Sequence, residues 1–96
     1  MAQEEHKIIT DILKNYSDEF LFYYYGSRVK GNFNKTSDFD ILIKGANEMG
    51  LFTLVQLKEK MDESKLPYIV NFTDYNSIDK NFYNLIKDDL VLIATQ

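Results

Sequence analysis

Residues 20–42 decide the fold, and they read FLFYYYGSRVKGNFNKTSDFDIL. The first six, residues 20–25, are all aromatic or aliphatic, which is typical of a strand that is buried on both faces. Residues 26–37 change to glycine, basic and small polar side chains, so we expect a loop there. Residues 39–44 predict a second strand, with Asp40 and Leu42 on one side and Ile41 and Ile43 on the other. The stretch therefore predicts two strands joined by a polar, basic loop.

The sequence on either side of this stretch has helical periodicity. Apolar residues at helical spacing predict helices over 4–16 and 51–64, and Pro67 prevents the second from continuing. Residues 68–72 predict a third strand, and residues 90–94 form either a short strand or a docked tail. A third helix should be capped by Asp74, Asn76 and Ser77 and present Ile78, Phe82, Leu85 and Ile86 on one face. Helices alternating with strands predict an α/β (α+β) fold, with about three helices packed on a small mixed sheet of three to four strands.

The overall composition excludes several classes of protein. A chain of 96 residues predicts a single domain over 1–96, and a hydrophobic fraction of 45% excludes a disordered chain. The formal charge of −4 argues against broad nucleic-acid binding, which needs many cations. No apolar run approaches the roughly 20 residues of a membrane span, so we expect a cytoplasmic protein. With no cysteine and His6 as the only histidine, zinc sites of the usual kinds are excluded. His6 lies near a polar N-terminus, so we expect a solvated helix residue there rather than a catalytic base.

The candidate site combines a Gly-Ser turn with a pair of aspartates. Gly26 allows a sharp turn and close approach to a ligand, and Ser27 adds a hydroxyl donor for phosphate. Asp38 and Asp40 alternate along a strand, so both project from one face with Cα atoms roughly 6.5–7 Å apart. Two converging carboxylates repel unless a cation lies between them, and Mg²⁺ is the expected ion because it binds carboxylates together with substrate phosphates.

Each half of this pattern has an ordinary explanation. A lone D-x-D is usually solvated surface, and a lone Gly-Ser after a strand is usually only a turn. The combination favours function, because the turn ends an apolar strand and the acidic pair opens the next one. Both then lie at one end of the sheet, as a nucleoside triphosphate site requires.

These residues resemble the DNA polymerase beta-like nucleotidyltransferase superfamily, and within it the minimal nucleotidyltransferases. The matching segments are 25–31 (YGSRVKG), 37–42 (SDFDIL) and, more loosely, 66–72 (LPYIVNF). Their order and spacing agree over nearly the whole chain. The resemblance implies the palm-like nucleotidyltransferase fold of that superfamily.

The resemblance also implies residue roles and partners. It makes Asp38 and Asp40 the catalytic metal ligands for two Mg²⁺ ions, with ATP as the substrate. It implies a role as an antitoxin beside a helical HEPN ribonuclease toxin, since some family members adenylylate a tyrosine of that toxin. The residues assigned to nucleotide binding are Gly26, Ser27, Arg28, Lys30 and Ser37.

The chain departs from the family pattern at Asn71, where family members carry a third catalytic carboxylate. Asparagine offers a carbonyl oxygen but no charge, so one metal site should be weakened and transfer slowed or lost. Asp74 lies three residues further along the strand and should point to the opposite face. Two functions stay open: an active adenylyltransferase, and a catalytically degenerate module that neutralises its partner by contact alone. Transfer to RNA or to a small molecule such as an aminoglycoside is less favoured, because nothing beyond the minimal domain is present to bind such an acceptor.

Overall fold

The computed structural model describes residues 3–26, 29 and 38–95. Within these residues the chain forms three α-helices and four strands, which confirms the mixed α/β class expected from the sequence. Short 3-10 turns extend the first and third helices. In chain order the elements are α1 (Gln3–Leu13), β1 (Phe20–Tyr25), β2 (Phe39–Gly45), α2 (Leu51–Glu63), β3 (Val70–Asp74), α3 (Lys80–Ile86) and β4 (Val91–Leu92).

The four strands form one mixed sheet in the order β3-β2-β1-β4. β1 runs antiparallel to both β2 and β4, whereas β2 and β3 are parallel. Helix α2 makes the crossover between the two parallel strands, as parallel neighbours require. In this register Tyr25 pairs with Asp40, and Asp40 pairs with Asn71. Three neighbouring strands therefore bring these residues into one row across the sheet.

Helices α1 and α2 cover one face of the sheet and form the main core with it. Their buried positions follow the helical period, with Ile9 and Leu13 on α1 and Leu57 and Met61 on α2. Each fully buried apolar side chain contributes on the order of 1.5–3 kcal/mol, so this face carries most of the stability. The sheet residues that meet the helices are Phe22, Tyr24, Phe39, Ile41 and Ile43.

Helix α3 covers only part of the opposite face. The Phe82 ring packs edge-on against Tyr25, with ring centroids 6.1 Å apart. Leu42 is fully buried on this face, whereas Leu21 and Leu92 are half exposed. The expectation that β1 is buried on both faces is therefore wrong for its first half, since Phe82 of α3 packs at the Tyr25 end of the strand and Leu21 at the other end stays half exposed.

The third strand and helix begin later than the sequence pattern indicated. β3 starts at Val70 rather than at residue 68. The N-cap of α3 is Asp79, whose Oδ1 accepts from the Phe82 N–H at 2.8 Å. Asp74 instead accepts from the Met49 N–H at 2.7 Å, so it caps the chain entering α2. The predicted caps are therefore wrong, and Leu85, expected on the packed face of α3, is 77% exposed.

Two smaller expectations are also resolved. Residues 91–92 form a short strand, so the C-terminal stretch joins the sheet. His6, expected to be a solvated helix residue, faces the core, since its Nδ1 lies 2.9 Å from the buried Tyr24 hydroxyl. Among the described residues, no helix is both long and apolar enough to cross a bilayer.

Candidate active site

The candidate site lies at the end of the sheet where β1 ends and where β2 and β3 begin. Asp38 immediately precedes β2, and Asp40 is the second residue of that strand. Side chains alternate along a strand, so Asp38, Asp40 and Leu42 share the face opposite the α1–α2 core. The parallel pairing with β3 places Asn71 on the same face, directly beside Asp40. The predicted convergence of the two aspartates follows from this register.

The Asn71 amide bridges the two carboxylates. Its Nδ2 donates to Asp38 Oδ2 at 3.0 Å and to Asp40 Oδ1 at 3.4 Å. The amide nitrogen carries partial positive charge and sits between two acceptor groups, so it partly compensates their mutual repulsion. The three side chains therefore form one compact polar cluster, here called the Asp38–Asp40–Asn71 cluster.

Asp40 is a partly buried carboxyl of this cluster. Partial burial raises the pKa of Asp40 above its ordinary value, and the neighbouring Asp38 charge raises it further, while the hydrogen bond from Asn71 acts in the opposite direction. Its neighbour Tyr25 is buried below α3, and its hydroxyl lies 2.9 Å from the Thr73 hydroxyl. Burial raises the pKa of Tyr25, so this hydroxyl stays neutral at physiological pH.

Gly26 approaches the cluster more closely than any other residue type could. Its φ is +83°, and a Cβ placed there would lie 2.5 Å from Asp40 Oδ2. Glycine avoids both the left-handed backbone penalty and this overlap. The Val29 N–H donates to the Gly26 carbonyl at 3.1 Å, so the chain turns directly after β1, as the sequence predicted. The Gly26 backbone and the Asp40 carboxylate thus lie against each other at one end of the sheet.

The structure brings together only some of the predicted site residues. Gly26, Asp38, Asp40 and Asn71 converge, and Asp74 faces away from them, as expected. Ser27, Arg28, Lys30 and Ser37, assigned to nucleotide binding, lie outside the described residues.

Sequence reasoning missed Tyr25 and Thr73 as parts of the wall beside the carboxylates. Tyr25 was assigned to core packing, and its burial confirms that role. The contact of its hydroxyl with Thr73 depends on the pairing of β1, β2 and β3, and no local sequence signal reports that register.

The donor set of the cluster fits a hard divalent cation. Two carboxylates and one amide carbonyl are oxygen ligands of the kind that Mg²⁺ binds, with water and substrate phosphate completing its coordination. Among the described residues, no group of three or more carboxylate, histidine or cysteine side chains could hold a metal ion. The Asn71 amide also presents its nitrogen to the carboxylates, so it must rotate to offer Oδ1 to an ion. The carboxylates of Asp38 and Asp40 are therefore the two charged ligands that the cluster offers to such an ion.

Comparison with known proteins gives the class of protein. Residues 7–96 match the family model described as Polymerase beta, Nucleotidyltransferase. The match spans nearly the whole chain, so the chain belongs to this family of nucleotidyltransferases. The family inferred from the Gly-Ser turn and the aspartate pair is therefore confirmed.

Individual relatives are of the minimal nucleotidyltransferase kind. The chain is 32% identical over 93 residues to the Haemophilus influenzae protein named "Probable protein adenylyltransferase MntA", covering 97% of this chain and 82% of that protein. A solved toxin-antitoxin structure with AMP-PNP is similar with a TM-score of 0.77 and 21% identity, covering 95% of this chain and 73% of that chain. A second solved structure contains the tri-AMPylated Shewanella oneidensis HEPN toxin in complex with an MNT antitoxin. It is similar with a TM-score of 0.72 and 20% identity, covering 100% of this chain and 74% of that chain. At these identities the structural similarity establishes the fold alone.

Proposed function

We propose that this protein is a Mg²⁺-dependent adenylyltransferase that uses ATP to modify and neutralise a HEPN ribonuclease toxin in the cytoplasm. The observation that carries the proposal is the convergence of Asp38 and Asp40 beside the Gly26 turn. Two named comparisons support it: the Haemophilus influenzae relative is a probable protein adenylyltransferase, and a structural neighbour is an MNT antitoxin bound to an AMPylated toxin.

The reaction joins an acceptor hydroxyl to the α-phosphorus of ATP. A new O–P bond forms, the bond to the β-phosphate oxygen breaks, the hydroxyl proton is released and pyrophosphate leaves. Bound Mg²⁺ would supply positive charge to the phosphates and the attacking oxygen. Asp38 and Asp40 would hold the ion, beside the Gly26 backbone that lies against the Asp40 carboxylate. Ser27, Arg28, Lys30 and Ser37 are proposed to contact the triphosphate.

Asn71 should lower the rate of this reaction. It adds no negative charge to the cluster, and its amide nitrogen faces the two carboxylates. Asn71 offers a second cation only a neutral amide oxygen, which attracts the ion less strongly than a third carboxylate at this position would. We therefore expect weak binding of a second ion and slow transfer.

A transfer assay tests the enzymatic proposal. The full chain is incubated with α-labelled ATP, Mg²⁺ and a HEPN-type toxin, and label on the toxin is measured. Wild type should transfer slowly, Asp38→Ala should not transfer at all, and Asn71→Asp should transfer faster than wild type. Absence of label with wild type and with Asn71→Asp, at any divalent-ion concentration, would contradict the proposal.

A second function is favoured by Asn71 alone. A degenerate module would keep the fold and neutralise its partner by contact, without any transfer. It predicts that Asp38→Ala and Asp40→Ala still silence the toxin in a growth or ribonuclease assay. Loss of silencing in both variants, with folding and partner binding intact, would exclude this alternative.

A further inference from the structure

Two hydroxyl groups meet across the sheet beside the candidate site. The Tyr25 hydroxyl lies 2.9 Å from the Thr73 hydroxyl, although these residues belong to β1 and β3 and β2 lies between them. Neighbouring strands are about 4.8 Å apart, so the tyrosine side chain extends over β2 to reach the far strand. This pair, here called the Tyr25–Thr73 bridge, therefore joins two strands that do not pair with each other.

The bridge crosses the strand that carries the aspartates. In the strand register Tyr25 pairs with Asp40. Thr73 pairs with Leu42, two residues further along β2. Paired residues share one face of the sheet, and alternate residues of a strand do too, so all four side chains lie on the face of Asn71. The bridge consequently runs diagonally across β2, between the side chains of Asp40 and Leu42.

The ring and the hydroxyl of Tyr25 have separate contacts. The side chain is only 7% exposed, and its ring packs edge-on against Phe82 of α3. A buried tyrosine hydroxyl usually needs a hydrogen-bond partner, and Thr73 supplies one here. A change to phenylalanine can therefore remove the bridge and keep the packing of the ring.

The bridge ties together the two strands that enclose the Asp40 carboxylate. Gly26 directly follows Tyr25 at the end of β1, and a Cβ placed there would lie 2.5 Å from Asp40 Oδ2. Asn71 precedes Thr73 by two residues on β3, and its Nδ2 lies 3.4 Å from Asp40 Oδ1. One carboxylate oxygen thus meets the end of β1, and the other meets β3. The spacing of these two strands sets the width of the space that the carboxylate occupies.

We infer that Tyr25 and Thr73 are positioning residues, whose hydroxyl bridge fixes the spacing of β1 and β3 and thereby holds the Asp40 carboxylate in its place between them. The inference rests on the proposed function for the reaction that this placement serves, but the bridge itself requires no nucleotide. A displacement of about 1 Å at a catalytic group can cost on the order of a hundredfold in rate, so a hydrogen bond behind the site can control turnover. Packing alone would need only the ring of Tyr25 and the methyl group of Thr73.

Matched variants separate the hydroxyl groups from packing. Tyr25→Phe keeps the ring and removes the hydroxyl. Thr73→Val keeps the shape of the side chain, whereas Thr73→Ser keeps its hydroxyl. Tyr23→Phe removes a hydroxyl two residues earlier on the same face of β1 and is the matched control. Asp79→Ala, which removes the N-cap of α3, controls for a loss of stability away from the site.

The metal-free measurement uses the side-chain amide signals of Asn71. They are recorded on the ¹⁵N-labelled full chain in chelator and assigned with Asn71→Ala. This amide donates to both carboxylates, so its signals report where Asp40 lies. Tyr25→Phe and Thr73→Val should both shift these signals, and the other three variants should leave them at their wild-type positions.

Metal binding and turnover give two further measurements. The Mg²⁺ affinity measured by calorimetry should fall roughly threefold to tenfold in Tyr25→Phe and in Thr73→Val, since a misplaced carboxylate weakens the site. The double variant should bind Mg²⁺ no more weakly than either single variant, because both changes remove the same bond. In the transfer assay kcat should fall roughly tenfold in Tyr25→Phe, while the KM for ATP changes by less than about twofold.

The outcomes distinguish this inference from the proposed function. Unmoved Asn71 signals in Tyr25→Phe, or equal losses of Mg²⁺ affinity in Thr73→Ser and Thr73→Val, would overturn the inference. Wild-type Mg²⁺ affinity and transfer rates in both hydroxyl deletions would refute the inference alone. A protein that binds Mg²⁺ and shows the expected variant effects, but transfers no AMP to a toxin, would refute the adenylyltransferase proposal alone.

Discussion

Replacing Asn71 by aspartate tests the geometry of the site most directly. The substitution places a third carboxylate where an amide nitrogen now lies 3.0 Å from Asp38 Oδ2 and 3.4 Å from Asp40 Oδ1. Without a metal ion, two favourable hydrogen bonds become two like-charge contacts. Asn71→Asp should therefore fold less stably than wild type in a chelator and gain more from Mg²⁺.

The size of this effect follows from Coulomb's law. Two like charges about 4 Å apart repel by about 1 kcal/mol in water and about 4 kcal/mol at an effective dielectric constant of 20. Asn71 is exposed, so each of the two contacts belongs near the lower value. The free energy of unfolding should fall by about 2 kcal/mol, which lowers Tm by roughly 8–16 °C for a chain of this size.

Thermal unfolding followed by circular dichroism measures this difference. In chelator at pH 7 the Tm of Asn71→Asp should show the full decrease. Saturating Mg²⁺ should remove most of this decrease, and acidification should reduce it because one of the carboxyl groups takes up a proton. Asn47→Asp, an equal charge change at an exposed position, is the control and should change stability by less than about 0.5 kcal/mol. If the Tm values of Asn71→Asp and the control agreed in chelator, the three side chains could not converge as described.

Three further changes test neighbouring features of the structure. Gly26→Ala should lower the free energy of unfolding by about 1–2 kcal/mol, because alanine disfavours the left-handed backbone conformation. The added methyl group should also displace the Asp40 carboxylate, so the Mg²⁺ affinity measured by calorimetry should fall. An unchanged affinity would contradict the close approach of Gly26 to Asp40. The pKa of Asp40 is higher in the folded protein than in the unfolded chain. Ionisation of Asp40 therefore lowers the free energy of unfolding once the pH rises above the unfolded-state pKa, and the decrease is complete above the folded-state pKa. Asp40→Asn should therefore raise Tm at pH 7 in chelator, and a gain that failed to shrink on acidification would refute this reading. Asp79→Ala removes the acceptor of the Phe82 N–H and should cost about 1 kcal/mol in urea unfolding, with ATP binding unaffected.

Local sequence patterns predicted most elements because the cause of each element is local. Four of the main segments lie where periodicity and turn residues placed them: α1, β1, β2 and α2. For residues 90–94 the sequence left a strand and a docked tail open, and the structure has a short strand there. The start of the third helix was predicted too early, because three polar residues before it could each act as its cap. The tertiary structure instead brings Asp74 to the Met49 N–H, from which its carboxylate accepts a hydrogen bond. His6 was misjudged for a similar reason, since its partner Tyr24 is distant in sequence and belongs to a strand beneath the helix.

The sequence by itself determined which side chains make up the candidate site: a glycine turn, two aspartates two residues apart on a strand, and an asparagine on a later strand. Their residue types and spacing indicate a metal and phosphate site, because alternation along one strand already places Asp38 and Asp40 on a common face. The tertiary structure decided how the strands meet. Parallel pairing of β2 with β3 sets Asn71 against both carboxylates. Strand order and register depend on contacts between distant segments, so no window of local sequence contains them.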